Sequence, residues 1–173
     1  MTKSVIIKQK LKKYIKEIAI FIVIMTVAAN IISFYKSMDL NKQKLQEMSI
    51  TLLDKTGYTH PKGKPILVHF WATWCPTCKI EASNIQSISE NYEVLTIAVN
   101  SGEAQEIKEY MNKNKFNFRV YNDSVSFFAK EFNIAAYPTT FIYNKDKNLI
   151  FSEVGFTSTL GLYFRMWIAD SFF

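Results

Sequence analysis

Residues 65–82 read PILVHFWATWCPTCKIEA, an apolar run that passes directly into the chain's only two cysteines, Cys75 and Cys78. The run PILVHFW is bounded by Gly63 and Pro65 and has no polar alternation, so it predicts a central strand buried on both faces. Beyond it, Pro76 suits the first turn of a helix, and Ile80, Ile85 and Ile88 recur at helical spacing as far as Glu90. The stretch therefore reads as a strand that ends where a helix begins, with a CxxC pair at the junction.

Downstream the alternation continues. VLTIAVN, residues 94–100, predicts a second buried strand, and Ser101 is expected to cap a helix running to Asn114, with Glu103 and Glu106 near its positive end. A strand at 118–121, a helix at 124–132, strands at 139–143 and 149–154, and a last helix from Ser158 complete the order. Strands alternating with helices and then an antiparallel pair predict an α/β sandwich with a mixed sheet, spanning residues 50–173.

The segment before that domain has a different character. Lys3, Lys8, Lys10, Lys12, Lys13 and Lys16 are opposed only by Glu17, so residues 1–17 form a basic stretch that holds much of the net charge of +6. Charge gathered there rather than along one face of the domain gives no reason to expect a nucleic-acid partner. IAIFIVIMTVAANIISFY, residues 18–35, contains no group charged at neutral pH, and residues 18–36 predict a transmembrane anchor. Lysines before the span place the N-terminus in the cytoplasm and the domain across the membrane. A buried core helix and a signal peptide cleaved near Val27, Ala28 and Ala29 are the competing readings. Residues 37–49 open a polar stretch with no long apolar face, expected to be a tether.

Three chemistries compete for the cysteines. A structural zinc ion usually takes four nitrogen or sulfur ligands, and only His60 and His69 could join the pair, so no metal site is expected. A structural disulfide across so short a loop constrains little chain entropy. Redox exchange fits best. Cys75 falls at a helix start, where free backbone N–H groups and the positive helix end favour the thiolate. Cys78, one turn on, can attack the mixed disulfide that Cys75 forms and release the product. No cofactor beyond the redox-active disulfide is expected, but an exposed dithiol outside the cytoplasm needs a membrane electron carrier or other redox donor.

FWATWCPTC after an apolar strand, with Tyr137-Pro138-Thr139 before a later one, resembles the thioredoxin superfamily and its membrane-tethered periplasmic branch. VHFWATWCPTC, TIAVNSG, YPTTFIY and VGFTSTLGLYFRMWIA together resemble the suppressor-of-copper-sensitivity protein D group of bacterial protein disulfide oxidoreductases. The resemblance implies a thioredoxin-like three-layer α/β/α sandwich acting on cysteines of extracytoplasmic proteins from the bacterial inner membrane. Tethered relatives mostly act as reductants, and the group implies a link to copper or redox stress. Cytochrome c maturation thioredoxins share CPTC but usually carry Glu after the later proline, where this chain has Thr139.

The same resemblance assigns further roles. Pro138 matches the family's cis-proline facing the dithiol, and Tyr137 and Thr139 flank it. Pro76 and Thr77 are the intervening pair that distinguishes potentials within the fold. Trp74 either lines the substrate groove or is a core aromatic. Glu81 is either an acid that tunes the thiols or a solvated helix carboxylate. His69 stands where thioredoxin has a buried Asp under the second cysteine, so it is either a proton relay or a hydrogen-bonded strand histidine. Outside enzymology, the two thiolates could carry Cu(I).

Overall fold

The computed structural model describes residues 3–172 and divides into two compact units, 1–35 and 36–173. The first is the body of helix α1 (Lys3–Lys36). Its stretch Lys10–Ser33 is long and apolar enough to cross a membrane, with none of that window buried against protein. At about 1.5 Å per residue it exceeds the roughly 30 Å of a hydrocarbon core. Its polar side chains bond within the helix, Thr26 Oγ1 to the Ile22 carbonyl and Asn30 Nδ2 to that of Thr26, each at 2.8 Å.

The second unit runs β1 (Ser49–Thr51), β2 (Gly57–Thr59), β3 (Ile66–Trp71), α2 (Pro76–Ser89), β4 (Glu93–Val99), α3 (Ala104–Asn114), β5 (Arg119–Asp123), α4 (Phe127–Glu131), β6 (Thr139–Tyr143), β7 (Leu149–Val154) and α5 (Thr159–Ser171). Five strands form one sheet in the order β5-β4-β3-β6-β7, with β1 and β2 as a separate hairpin. β3 pairs parallel with β4 and antiparallel with β6, so the mixed sheet expected from the alternation is present with β3 at its centre. All six residues of β3 are buried, as its unbroken apolar sequence requires. Because side chains alternate across a strand, Leu67 and Trp71 join a core with α2, α3 and α5, while Ile66, Val68 and Phe70 join a second core with α4. These are the two faces of a three-layer sandwich.

Residues 37–49, expected to be a tether, behave otherwise. Leu40, Leu45 and Met48 are buried in the second core beside Phe128, Phe132 and Phe141, followed by Leu52 and Tyr58 from the hairpin region. Backbone bonds fix the segment: Asn41 N–H donates to the Phe132 carbonyl at 3.2 Å and Leu45 N–H to that of Lys147 at 2.9 Å. These apolar residues lack the even spacing of a helix or strand face, so only tertiary contact reveals them.

Two helix starts also differ from expectation. Ser101 does not cap α3: its hydroxyl donates to the Val99 carbonyl, and Glu103, two residues on, forms a reciprocal capping box with Glu106. α4 starts at Phe127 rather than Ser124 because Asp123 holds it from behind, its carboxylate accepting from the Phe127 and Ala129 N–H groups at 2.6 and 2.9 Å. Ser126, with φ of 58°, turns the chain into that helix.

If residues 37–49 are core, Leu45→Ala in the full chain should cost about 2–5 kcal/mol, seen as a lower thermal unfolding midpoint in detergent. An unchanged midpoint would restore the tether.

Candidate active site

The cysteines lie where β3 leaves the sheet. Ala72 and Thr73 carry the chain to Trp74, and Thr73 is clamped to the loop after β4: its N–H donates to Ser101 Oγ at 3.1 Å and its hydroxyl to the Ser101 carbonyl at 3.2 Å. Cys75 is the N-cap of α2, in an extended conformation, with Pro76 in the first turn. Its sulfur accepts the Cys78 N–H at 3.1 Å, which occupies an otherwise orphaned donor of the helix start. The pair is joined as a disulfide, with Cα atoms 5.3 Å apart. Cys75 is 4% exposed and Cys78 1%, so a partner sulfur reaches Cys75 only along the surface.

Around the pair, the structure sorts the remaining candidates. Pro76 is exposed and Thr77 half-buried in the first turn of α2. The Tyr137–Pro138 peptide bond is cis, and the Pro138 carbonyl accepts from Gly155 N–H at 2.8 Å. Thr139 is buried, its hydroxyl closing onto the Ala136 carbonyl at 2.8 Å. Trp74 is exposed rather than core, with its indole N–H on the Asn100 carbonyl at 2.9 Å and its ring edge-on to Tyr137 at 5.7 Å between centroids. Burial, aided by the nearby Asp123 charge, raises the Tyr137 hydroxyl pKa, so the ring stays neutral.

Glu81 follows Cys78 by three residues, on the same face of α2, and is fully buried. One carboxyl oxygen accepts the Thr157 N–H at 3.0 Å; the other has no partner. Burial pushes its pKa up to about 8, against the opposing Thr157 hydrogen bond and with a smaller contribution from Glu153. His69, by contrast, is enclosed in β3 between neighbouring strands, its Nδ1 2.9 Å from Thr140 Oγ1. Burial holds its pKa down to about 3, so it is neutral across the physiological range.

Sequence reasoning did not find Asn100, Asp123, Ser101 or Thr157 as parts of this site. Asn100 carried one signal, an Asn directly after a strand, a type that tolerates the left-handed backbone seen here at φ of 44°. Thr157 carried none, because only its backbone N–H is used. Among the described residues no group of three or more His, Cys, Asp or Glu could hold a metal ion.

Comparison with known proteins agrees with this geometry. Residues 35–152 match the AhpC/TSA family. A thioredoxin-like protein of Haemophilus influenzae is 34% identical over 129 residues, covering 71% of this chain and 77% of its own. Sporulation thiol-disulfide oxidoreductase A of Bacillus subtilis is 33% identical over 101 residues, covering 54% of this chain and 61% of its own. Among solved structures, StoA from Bacillus subtilis superposes with a TM-score of 0.63 at 23% identity, covering 69% of this chain and 96% of its own. A secreted Mycobacterium tuberculosis disulfide oxidoreductase gives 0.62 at 22% identity, covering 70% and 95%. A CxxC pair at the start of a helix that follows the central strand, on a sandwich of this topology and with these relatives, makes the chain a member of the AhpC/TSA family within the thioredoxin-like thiol-disulfide oxidoreductases.

Proposed function

We propose that this oxidoreductase is a reductant of cysteines in extracytoplasmic proteins, anchored in the bacterial inner membrane by α1 with its N-terminus in the cytoplasm and supplied with electrons by a membrane carrier. The observation that carries the redox assignment is the Cys75–Cys78 pair at the α2 start, with a partnerless Glu81 carboxyl oxygen buried one turn further on. The lysines ahead of the apolar run that begins at Ile18 support the orientation. The secreted Mycobacterium tuberculosis enzyme supports work outside the cytoplasm. The copper or redox-stress setting rests on the motif resemblance, and a copper-sensitive deletion strain would test it.

In the reduced protein, the Cys75 thiolate attacks one sulfur of a substrate disulfide. A Cys75–substrate bond forms, the substrate S–S bond breaks, and the departing sulfur takes up a proton. From its carboxylate form, the minor one at neutral pH, Glu81 then takes the Cys78 proton as Cys78 attacks the Cys75 sulfur; the Cys75–Cys78 bond forms, the Cys75–substrate bond breaks, and the proton passes on to the departing substrate thiolate. Two electrons and two protons pass to the substrate, and the donor restores the dithiol. A carboxyl titrating near 8 is matched to a thiol of ordinary pKa about 8.5, so proton exchange between them costs little. His69 is too weak a base for that task, and we assign the relay to Glu81. Pro138, Tyr137, Thr139, Trp74, Pro76 and Thr77 frame the surface on which the substrate strand lies.

The reduction potential of the full chain in detergent tests direction. A value near about −270 mV is expected; one near −120 mV would make the protein a disulfide donor instead. Cys78→Ser should accumulate mixed disulfides through Cys75, and absence of any trapped species would remove the exchange role.

Glu81 also has a stability signature. Its folded pKa of about 8 lies above the ordinary 4.5, so its contribution is full below pH 4.5 and is lost as pH rises through 8. Glu81→Gln should flatten that part of the stability profile and slow release from the mixed disulfide, with formation of that species less affected. A profile identical to the parent's would mean the carboxyl does not titrate there.

A further inference from the structure

Residues 155–159, between β7 and α5, touch both sides of the site. Gly155 N–H donates to the Pro138 carbonyl at 2.8 Å. Two residues on, Thr157 N–H is, among the described residues, the one donor to the Glu81 carboxyl, at 3.0 Å. A loop N–H keeps such a position only where the loop itself is held, and Asn84 holds this one from α2. Asn84 lies three residues past Glu81, on the same side of the helix, and is half-buried. Its side-chain amide donates to the Thr157 carbonyl at 2.9 Å, and its Oδ1 accepts the Thr159 hydroxyl at 2.8 Å. Both ends of one amide are thus spent on the residues either side of Ser158. The start of α5 is made without Asn84, since Ser158 Oγ accepts the Gly161 N–H at 3.2 Å. The two helices also have a separate tie: the Tyr163 hydroxyl of α5 donates to the Ser87 carbonyl of α2 at 2.9 Å.

We propose that Asn84 is a positioning residue of the exchange reaction: by fixing Thr157 it keeps a backbone N–H on Glu81 and so sets how readily that carboxyl takes the Cys78 proton. The role rests on the relay assigned to Glu81 above. The surrounding charges leave that N–H with a distinct task. Burial and the Glu153 carboxylate of β7 both favour the neutral form of Glu81, and Arg165 of α5 is drawn to Glu153, at 2.8 Å. His69 of β3 is neutral, and Lys79, on α2 itself, is exposed. The Thr157 N–H is the influence that favours the carboxylate, the form able to accept a proton.

The test uses the full chain in detergent, oxidised, with isotope-labelled glutamate carboxyl groups followed by NMR against pH. The Glu81 resonance is the one that Glu81→Gln removes, and in the parent it should titrate at about 8. Asn84→Ala should raise that midpoint by about one unit, the size expected for a lost hydrogen bond to a carboxylate. Thr159→Val, which takes the hydroxyl from Asn84 Oδ1, should raise it by less. Tyr163→Phe, which cuts the helix tie but not the loop clamp, should leave it in place. In the reduced protein reacting with glutathione disulfide, the Cys75–glutathione adduct of Asn84→Ala should persist about threefold longer at neutral pH, because the smaller carboxylate fraction is partly offset by a stronger base. In a Glu81→Gln background that difference should vanish. An Asn84→Ala midpoint that is unchanged or lowered overturns the proposal, as does an equal shift in Tyr163→Phe, which would make the effect one of helix packing. If Asn84→Ala does not fold, the Thr159→Val midpoint decides by the same rule. A parent with no Glu81 titration in this range would overturn the relay itself, a result distinct from an unmoved midpoint in the variants.

Discussion

A helix start needs acceptors for its first backbone N–H groups, and in this protein one of those acceptors is the sulfur of Cys75. The rest of the site follows from that placement. β3 is buried on every residue, so its end is fixed, and the chain has only Ala72, Thr73 and Trp74 in which to leave the sheet before α2 begins. Cys75 is thereby carried at the end of a strand whose every residue is buried. Cys78 and Glu81 then fall on the buried side of α2 by helical geometry. The position of the sulfur, the second thiol and the carboxyl is a single structural decision made at one strand end.

The electrostatics around the pair are set by what is left unpaired. A carboxyl group buried without water prefers its neutral form, and Glu81 has a single N–H donor to offset that preference. His69 is also enclosed, but its Thr140 partner and strand position give it the character of a core residue. Two buried titratable groups are therefore driven away from their ordinary values in opposite senses, Glu81 upward and His69 downward.

The parts of this fold that could be read in the sequence were those with continuous or periodic apolar character. β3, β4 and β6 appear as apolar runs because they are buried along nearly their whole length; β7 is half-buried throughout, and in α2 the expected face holds at Ile85 and Ile88 while Ile80 is exposed. The segment with Leu40, Leu45 and Met48 has no such pattern, since an irregular strap buries residues wherever the core has room. The two helix starts misplaced by two and three residues share another cause: Glu103 and Asp123 fix them because their carboxylates close a reciprocal pair or reach more than one N–H group. At the site, the cysteines and the flanking motif were legible. The exposure of Trp74 and the burial of Glu81 were not, since either residue type is common in both settings.

The strap has a bearing on how the protein can be processed. Residues 40–48 enter the core directly after α1, so the domain has no free leader that a protease could cut without consequence. A cut after Met48 would separate Leu40, Leu45 and Met48 from the rest of the chain and weaken the core they share with Phe132 and Phe141. Shedding by cleavage there would therefore release a damaged domain rather than a working soluble enzyme. The domain begins, for the purposes of folding, almost at the last residue of α1.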